Sequence, residues 1–359
     1  MHPATRIQLA ALLIAVASPA QSFTVVPAQY ANTDANGICA IPGAADAYRH
    51  VTLVGASHLT SMVGQSIQAV SFRRSASDST YQGGTIHLQV WLSATSTAPL
   101  DCSRAFADNV GAAPVLVFSG PVTVPTSPAS PGPNAPWTPQ NTVRIAFNTG
   151  FFYAGGTLCM DIVGSPVAGQ EVDWWMTDAV VESYGGSTAN LGGACGAFVG
   201  SDGNSAFLGA RSLVAGGFIE STASGTPYGL AIAAFGQGTP LGTPLSLLGF
   251  AAQPGCDLHL ATLDFLMAAV FVPDPDPALA GRGGEANLHL KIPATPAVFG
   301  HTMTTQWLDW TQMATSNAIE WTVGAQMPTL DMALITGDPA SPIGRASPNR
   351  AHVLRFEWQ

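Results

Sequence analysis

Charge is the scarcest property of this sequence. Acidic and basic side chains make up 9% of its 359 residues, where about 25% is usual for a soluble protein. Lysine occurs once, at Lys291, and arginine supplies the rest of the 12 basic residues. Phosphate neutralisation needs clustered Lys and Arg, so a nucleic-acid role is excluded and an anionic membrane surface is disfavoured. The formal net charge of −10 points the same way. The same shortage removes the Glu/Lys/Arg patterning of long surface helices. No C-x-x-C pair occurs, which excludes the zinc-ribbon spacing. Neither a G-x-S-x-G elbow nor an H-E-x-x-H helix motif occurs, so the local signatures of common hydrolases are missing. Beyond the N-terminus no apolar run is long enough to span a bilayer. The longest, "LATLDFLMAAVFV" (260–272), is short and contains Asp264.

The N-terminus has the features of an export signal. Arg6 gives a basic start, "IQLAALLIAVA" (7–17) is the apolar stretch, and Ser18 and Ala20 supply small residues for cleavage. Residues 1–20 are therefore expected to be a signal peptide, with the mature chain beginning near Gln21. The run is shorter than the roughly 20 apolar residues of a membrane anchor, and no Cys follows the cleavage site to receive a lipid. The expected location is secreted or cell-envelope, with no transmembrane segment after signal removal. Such compartments permit disulfides. Of the five cysteines, Cys102–Cys159 and Cys195–Cys256 are the expected pairs, because each then lies within one proposed domain. Cys39 is left as a free buried thiol, or as a substitute partner for Cys102 or Cys159.

What the sequence has in abundance is turn residues, with Gly 38 and Pro 27, between short alternating apolar runs. "TIHLQVWLS" (85–93) places Ile86, Leu88, Val90 and Leu92 on one face. "TVRIAF" (142–147) does so with Val143, Ile145 and Phe147, and "TLCMDIVG" (157–164) with Leu158, Met160 and Ile162, leaving Cys159 and Asp161 opposite. "PVLVFSGPVTVP" (114–125) is read as two strands broken at Ser119-Gly120. The proline-rich stretch 125–140 cannot be a central strand and is read as an extended loop. Further strands are expected at 228–236, 256–265, 286–293, 301–310, 318–324, 330–337 and 351–358. The fold expected is all-β: two antiparallel, jelly-roll-like β-sandwich modules in tandem. The modules are placed at 21–188 and 189–325. Residues 326–359 form a two-strand tail that must dock on one of them, since two strands cannot fold alone.

Several stretches carry a resemblance. "IQAVSFRR" (67–74), the run from Leu88 to Pro125, "FNTGFFYAGGTLCMDIVG" (147–164), "GGACGAFVGSDG" (192–203), "PGCDLHL" (254–260), "IPATPAVFGHTMTTQWLDW" (292–310) and "NAIEWTVG" (317–324) cover most of the mature chain. Together they resemble secreted β-rich two-module proteins of planctomycete-type bacteria. The matching motifs are architectural and bring no catalytic residue with them. The resemblance implies secretion, β architecture and a Cys195–Cys256 bridge. Cys102, Cys159 and the Trp174–Trp175 pair fall outside its pattern.

Candidate chemistry begins at "EVDWWMTDAV" (171–180). Strand alternation puts Val172, Trp174 and Met176 on one face and Asp173, Trp175 and Thr177 on the other. An exposed Trp175 beside Asp173 and Asp178, with Trp137 from the proline-rich loop, would make a stacking platform for a sugar. The structural alternative packs Trp175 under that loop or against the second module. In "HTMTTQWLDW", His301 and Asp309 share a face but stand roughly 26 Å apart at strand rise, too far for one acid–base site. "NTDANG" (32–37) resembles half a calcium loop through Asn32, Asp34 and Asn36, but Gly43 stands where the closing Glu belongs. Asp274 and Asp276 in "PDPDP" (273–277) could hold calcium weakly, as could "GSDGNS" (200–205). A structural calcium is the one cofactor with any candidate ligands. Ser57 and His58 are sequence neighbours, which does not make a triad. The expected function is a non-catalytic structural or adhesive role in the extracellular space or envelope, with a glycan or envelope component as partner. A carbohydrate-binding protein is the alternative, and a cryptic secreted hydrolase the third.

Overall fold

Alternating apolar runs broken by turns favour antiparallel sheets that each bury one face. The computed structural model has this architecture; it describes residues 21–132, 137–170, 172, 175–182, 185–196, 207–208, 213–273 and 283–359. The expected signal segment, 1–20, lies outside the described residues. In chain order the strands are β1 (Ser22–Val26), β2 (Gly37–Ala40), β3 (Tyr48–Val54), β4 (Gln65–Arg73), β5 (Gly84–Thr95), β6 (Val115–Val124), β7 (Thr142–Tyr153), β8 (Thr157–Pro166) and β9 (Met176–Val181). There follow β10 (Ser187–Leu191), β11 (Phe207–Leu208), β12 (Phe218–Gly225), β13 (Leu230–Gly236), β14 (Gly238–Pro244), β15 (Asp257–Leu260), β16 (Phe265–Val270), β17 (Val272–Pro273), β18 (Gly284–Lys291), β19 (Thr302–Asp309) and β20 (Ala314–Thr322). The last four are β21 (Met332–Gly337), β22 (Arg345–Ser347), β23 (Arg350–His352) and β24 (Leu354–Trp358). A single turn of α-helix, α1 (Phe106–Asn109), interrupts them.

Strand pairing falls into two sets. The first joins β1–β9 with β21–β24 in a six-stranded sheet (β22-β21-β3-β8-β5-β6), a four-stranded sheet (β1-β24-β4-β7) and a three-stranded sheet (β2-β9-β23). The second comprises β10-β20-β19-β13-β16, β11-β12-β18-β17 and the pair β14-β15. All these pairings are antiparallel. The tail contributes four strands, where two were expected, because Val353 breaks the last run and the Pro348-Asn349 turn sets a further short strand, Arg345–Ser347, before it. β6 is one strand, where two were expected. Gly120 takes φ 153 and the chain passes through Ser119-Gly120 without losing its pairing to β5.

In the first set, Ile86, Leu88, Val90 and Leu92 of β5 and Leu158, Met160 and Ile162 of β8 meet Val70 and Phe72 of β4 and Val143 and Ile145 of β7 in one buried core. The opposite face of the six-stranded sheet is covered locally. Val51, Leu53, Cys159 and Ala333 pack there against Cys102, Phe106 and Phe218. The Cys102–Cys159 bridge expected from the sequence is absent, and both residues are buried thiols. Cys159 lies opposite Ser93 in the β5–β8 register. Cys102 closes a 3₁₀ turn, and its carbonyl accepts a hydrogen bond from Lys291. Cys195–Cys256 is formed, with the two Cα atoms 5.2 Å apart. Cys39 is the third buried thiol.

The second set buries Phe235, Phe271, Trp307, Trp321 and Ile319 between its two larger sheets. The indole N–H of Trp307 donates to Ser221 (2.9 Å) and that of Trp321 to Thr305 (3.0 Å), so neither ring is buried with an unmet donor. Among the described residues the two sets meet at several points. Phe218 of β12 packs into the cluster of the first set. Lys291 lies 4.6 Å over the Phe218 ring and donates to the Cys102 carbonyl at 2.9 Å, and Glu220 pairs with Arg345 at 3.5 Å.

Candidate functional site

Of the two readings of Trp175, the structure has the packed one, under the proline-rich loop, and not the exposed platform. Trp175 is fully buried and its indole N–H donates to the Pro125 carbonyl at 3.0 Å, beneath the proline-rich loop. Strand alternation misplaced it because β9 begins only at Met176; Val172 and Trp175 precede the strand and enter the same core. Asp173 and Trp174 lie outside the described residues. Trp137 is half-buried, donates to the Ala31 carbonyl at 3.0 Å, and has the guanidinium groups of Arg73 and Arg355 over its ring at 5.0 and 4.7 Å. Asp178 is buried in an ion pair with Arg73 (2.5 Å) and accepts from the backbone of Ala35.

Of the other candidates, those among the described residues have partners within the fold. Asp34, the candidate calcium ligand, lies 3.8 Å from Arg73, the cation that also pairs with Asp178. Asp274, Asp276 and residues 200–205 lie outside the described residues. Asp309 accepts four hydrogen bonds from Thr226, Thr311 and Gln312, while His301 sits edge-on to Trp321. The Ser57 hydroxyl donates to Asp331, whereas His58 Nε2 faces the Leu330 carbonyl. Serine and histidine thus have separate partners and no relay forms.

The side chains that do converge are Cys39, His50 and His352, from β2, β3 and β23. The three-stranded sheet lays β2 and β23 on either side of β9, and its side chains meet those of β3 at one end of the first core. A sulfur of Cys39 and a ring nitrogen from each histidine lie within 4.8 Å of one another, and all three residues are buried. His50 Nδ1 is 3.0 Å from His352 Nε2, and His352 Nδ1 is 2.8 Å from the Thr177 hydroxyl. The Thr177 hydroxyl donates its one proton to the Cys39 carbonyl (2.9 Å). His352 Nδ1 must then carry a proton, His352 Nε2 must accept, and His50 Nδ1 must donate. Every proton in this chain is assigned, and His50 Nε2 is left as a lone pair. The stacked imidazoles (5.2 Å) meet the edge of Phe72.

Burial pushes His50 from 6.5 down to about 3, with the charge of Arg350 adding to the effect, and pushes His352 well below the ordinary histidine value. Both rings are therefore neutral at pH 7. Burial raises the Cys39 thiol, against the lowering pull of Arg350. A cavity of about 390 Å³ opens onto Cys39 and His50, with Tyr48, Asp46, Arg345 and Arg350 along its walls. Its floor depends on a close backbone approach. Gly43 adopts φ +80, and a Cβ there would stand 2.6 Å from the Ser165 nitrogen, so only glycine lets this segment lie on β8.

From the sequence, Cys39 is a free buried thiol or a substitute disulfide partner, His352 lies in the strand expected at 351–358, and His50 has no role. The usable signal is chemical: a thiol left without an expected partner, and histidines on apolar strands. The spacing of 302 residues between the two histidines hides it from any motif. No protein-family model matches the chain, and no curated protein matches it.

Proposed function

We propose that this is an exported, non-catalytic β-sandwich protein with a structural or adhesive role outside the cytoplasm. The observation that carries the reading is the commitment of its polar side chains to the fold. Arg49 pairs with Asp161, Arg73 with Asp178 and Arg144 with Glu357. Arg74 is fully buried and donates to the carbonyls of Ser75, Ser77, Ser79, Ser127 and Pro128. A chain with so few charges uses them to pin loops and strand ends. The Cys195–Cys256 bridge and the export-type N-terminus support extracytoplasmic folding.

The test is expression of the whole chain with its own N-terminus in an exporting host, followed by fractionation and intact mass. The expected product begins near Gln21, is found outside the cytoplasm, and gains two hydrogens' mass on reduction. A cytoplasmic product that retains residues 1–20 would overturn the proposal. A glycan array is the counter-test for the adhesive role's chemistry: saturable sugar binding would revive the carbohydrate reading, on residues other than Trp175.

A further inference from the structure

We infer that Cys39, His50 and His352 form a binding site for Cu(I), with the Cys39 sulfur and one ring nitrogen from each histidine as ligands. Three observations converge. First, the ligand set is assembled on paired strands, so the donors are held by backbone ladders and not by loops. Second, outer partners already orient the donors. Thr177 bonds both the Cys39 carbonyl and His352 Nδ1, which turns His352 Nε2 inward as a lone pair, the role outer partners play around metal-bound histidines. Third, the separation is close to that of a ligated pair. His50 Nδ1 and His352 Nε2 are 3.0 Å apart with a proton between them. Two nitrogens about 2.0 Å from one metal stand about 3.3–3.5 Å apart, so replacing that proton needs an opening of a few tenths of an ångström; His50 then carries its one proton on Nε2, and the Cys39 thiol proton is released to solvent as the ion binds.

Charge selects the metal. The charged side chains around the cluster are Arg350, Arg345 and the exposed Asp46, all along the cavity. Among the described residues, no carboxylate hydrogen-bonds to either histidine. A monovalent cation with the Cys39 thiolate is neutral as a unit. A divalent one would leave a net positive charge buried beside Arg350, which is costly. Thiolate and imidazole donors suit Cu(I), a soft ion that accepts three ligands. The cavity that reaches Cys39 and His50 gives the ion a way in. A purely structural role accounts for the histidine hydrogen bond, but it gives no reason to set a third soft donor within 4.8 Å of both rings.

The experiment is an anaerobic titration of the mature chain with Cu(I) held by a chromophoric chelator. The wild type is expected to withdraw one equivalent. Cys39→Ser and His352→Gln should each weaken binding by more than about 100-fold, exceeding the loss that outer partners alone cause, and Thr177→Val by roughly 10-fold. Cys102→Ser and Cys159→Ser, which alter the other buried thiols, should leave binding unchanged. Cys39→Ser differs by one atom and decides the matter if His352→Gln fails to fold, as judged by its circular dichroism melt. No withdrawal by the wild type, or full retention by Cys39→Ser, overturns the site. Preference for Zn(II) over Cu(I) in direct competition overturns the choice of ion.

Discussion

A guanidinium buried without a carboxylate at hydrogen-bond distance has to be met by carbonyls, and Arg74 meets five of them while its plane lies 4.0 Å from the Tyr81 ring. This one side chain fastens the proline-rich loop to the end of β4. Arg74→Met would leave several carbonyls unpaired and should cost about 3 kcal/mol or more in a urea melt. Arg74→Lys should recover little, since a single ammonium cannot reach along the fork. Neutral buried histidines give the second residue-scale prediction. The folded pKa of His50 is about 3 against 6.5 in the unfolded chain. Between those values the unfolded state binds a proton that the folded state does not, so stability is full above 6.5 and falls as pH drops toward 3. From pH 7 to pH 5 the loss due to His50 is about 2 kcal/mol. Asp178 acts in the opposite sense, because burial holds it up at about 6 despite Arg73 and the Ala35 amide. The wild-type minus His50→Gln difference isolates the histidine, and it should shrink by about that amount between the two pH values. An unchanged difference would show that His50 is protonated in the fold.

At the scale of elements, what could be read from the sequence depended on having one buried and one open face. β5 is the clear instance: Ile86, Leu88, Val90 and Leu92 are all fully buried, while His87 opposite them is exposed. Leu88→Ala should cost 2–5 kcal/mol, roughly what a cavity at such a site costs, and His87→Ala within about 0.5 kcal/mol of nothing. β8 was read correctly on its core face, but its other face is also buried, under α1 and Phe218. Periodicity cannot say whether a sheet's second face is covered, so Cys159 looked available for a bridge. The segment before β9 failed differently, since alternation was applied to residues that lie outside the strand. β2 and β3 carry two of the three converging donors, Cys39 and His50, yet the stretch before residue 51 showed no strand signal strong enough to place them. Contacts between distant strands, which build the Cys39–His50–His352 group, leave no mark in local sequence.

At the scale of the molecule, the question is how far the two strand sets share their stability. Each has its own core, and among the described residues they touch through Phe218, through Gly216 and Lys291 beside Leu100 and Cys102, and through the Glu220–Arg345 pair. The last of these is exposed enough to contribute little. The disulfide lies wholly in the second set and closes a loop across a separation of 61 residues. In the chain-entropy picture such a loop is stabilised by about 4 kcal/mol through the unfolded state, with measured effects of about 2–4 kcal/mol. Two cores joined by these contacts should open independently. Replacing both Cys195 and Cys256 by alanine should therefore accelerate amide exchange in β12, β13, β19 and β20 and leave β5 and β8 protected as before. Leu88→Ala should do the reverse. Hydrogen exchange read by mass spectrometry separates the cases. If the disulfide variant loosens β5 and β8 as much as β19 and β20, the Phe218–Lys291 seam couples both sets into one cooperative unit, and Lys291→Met should then uncouple them.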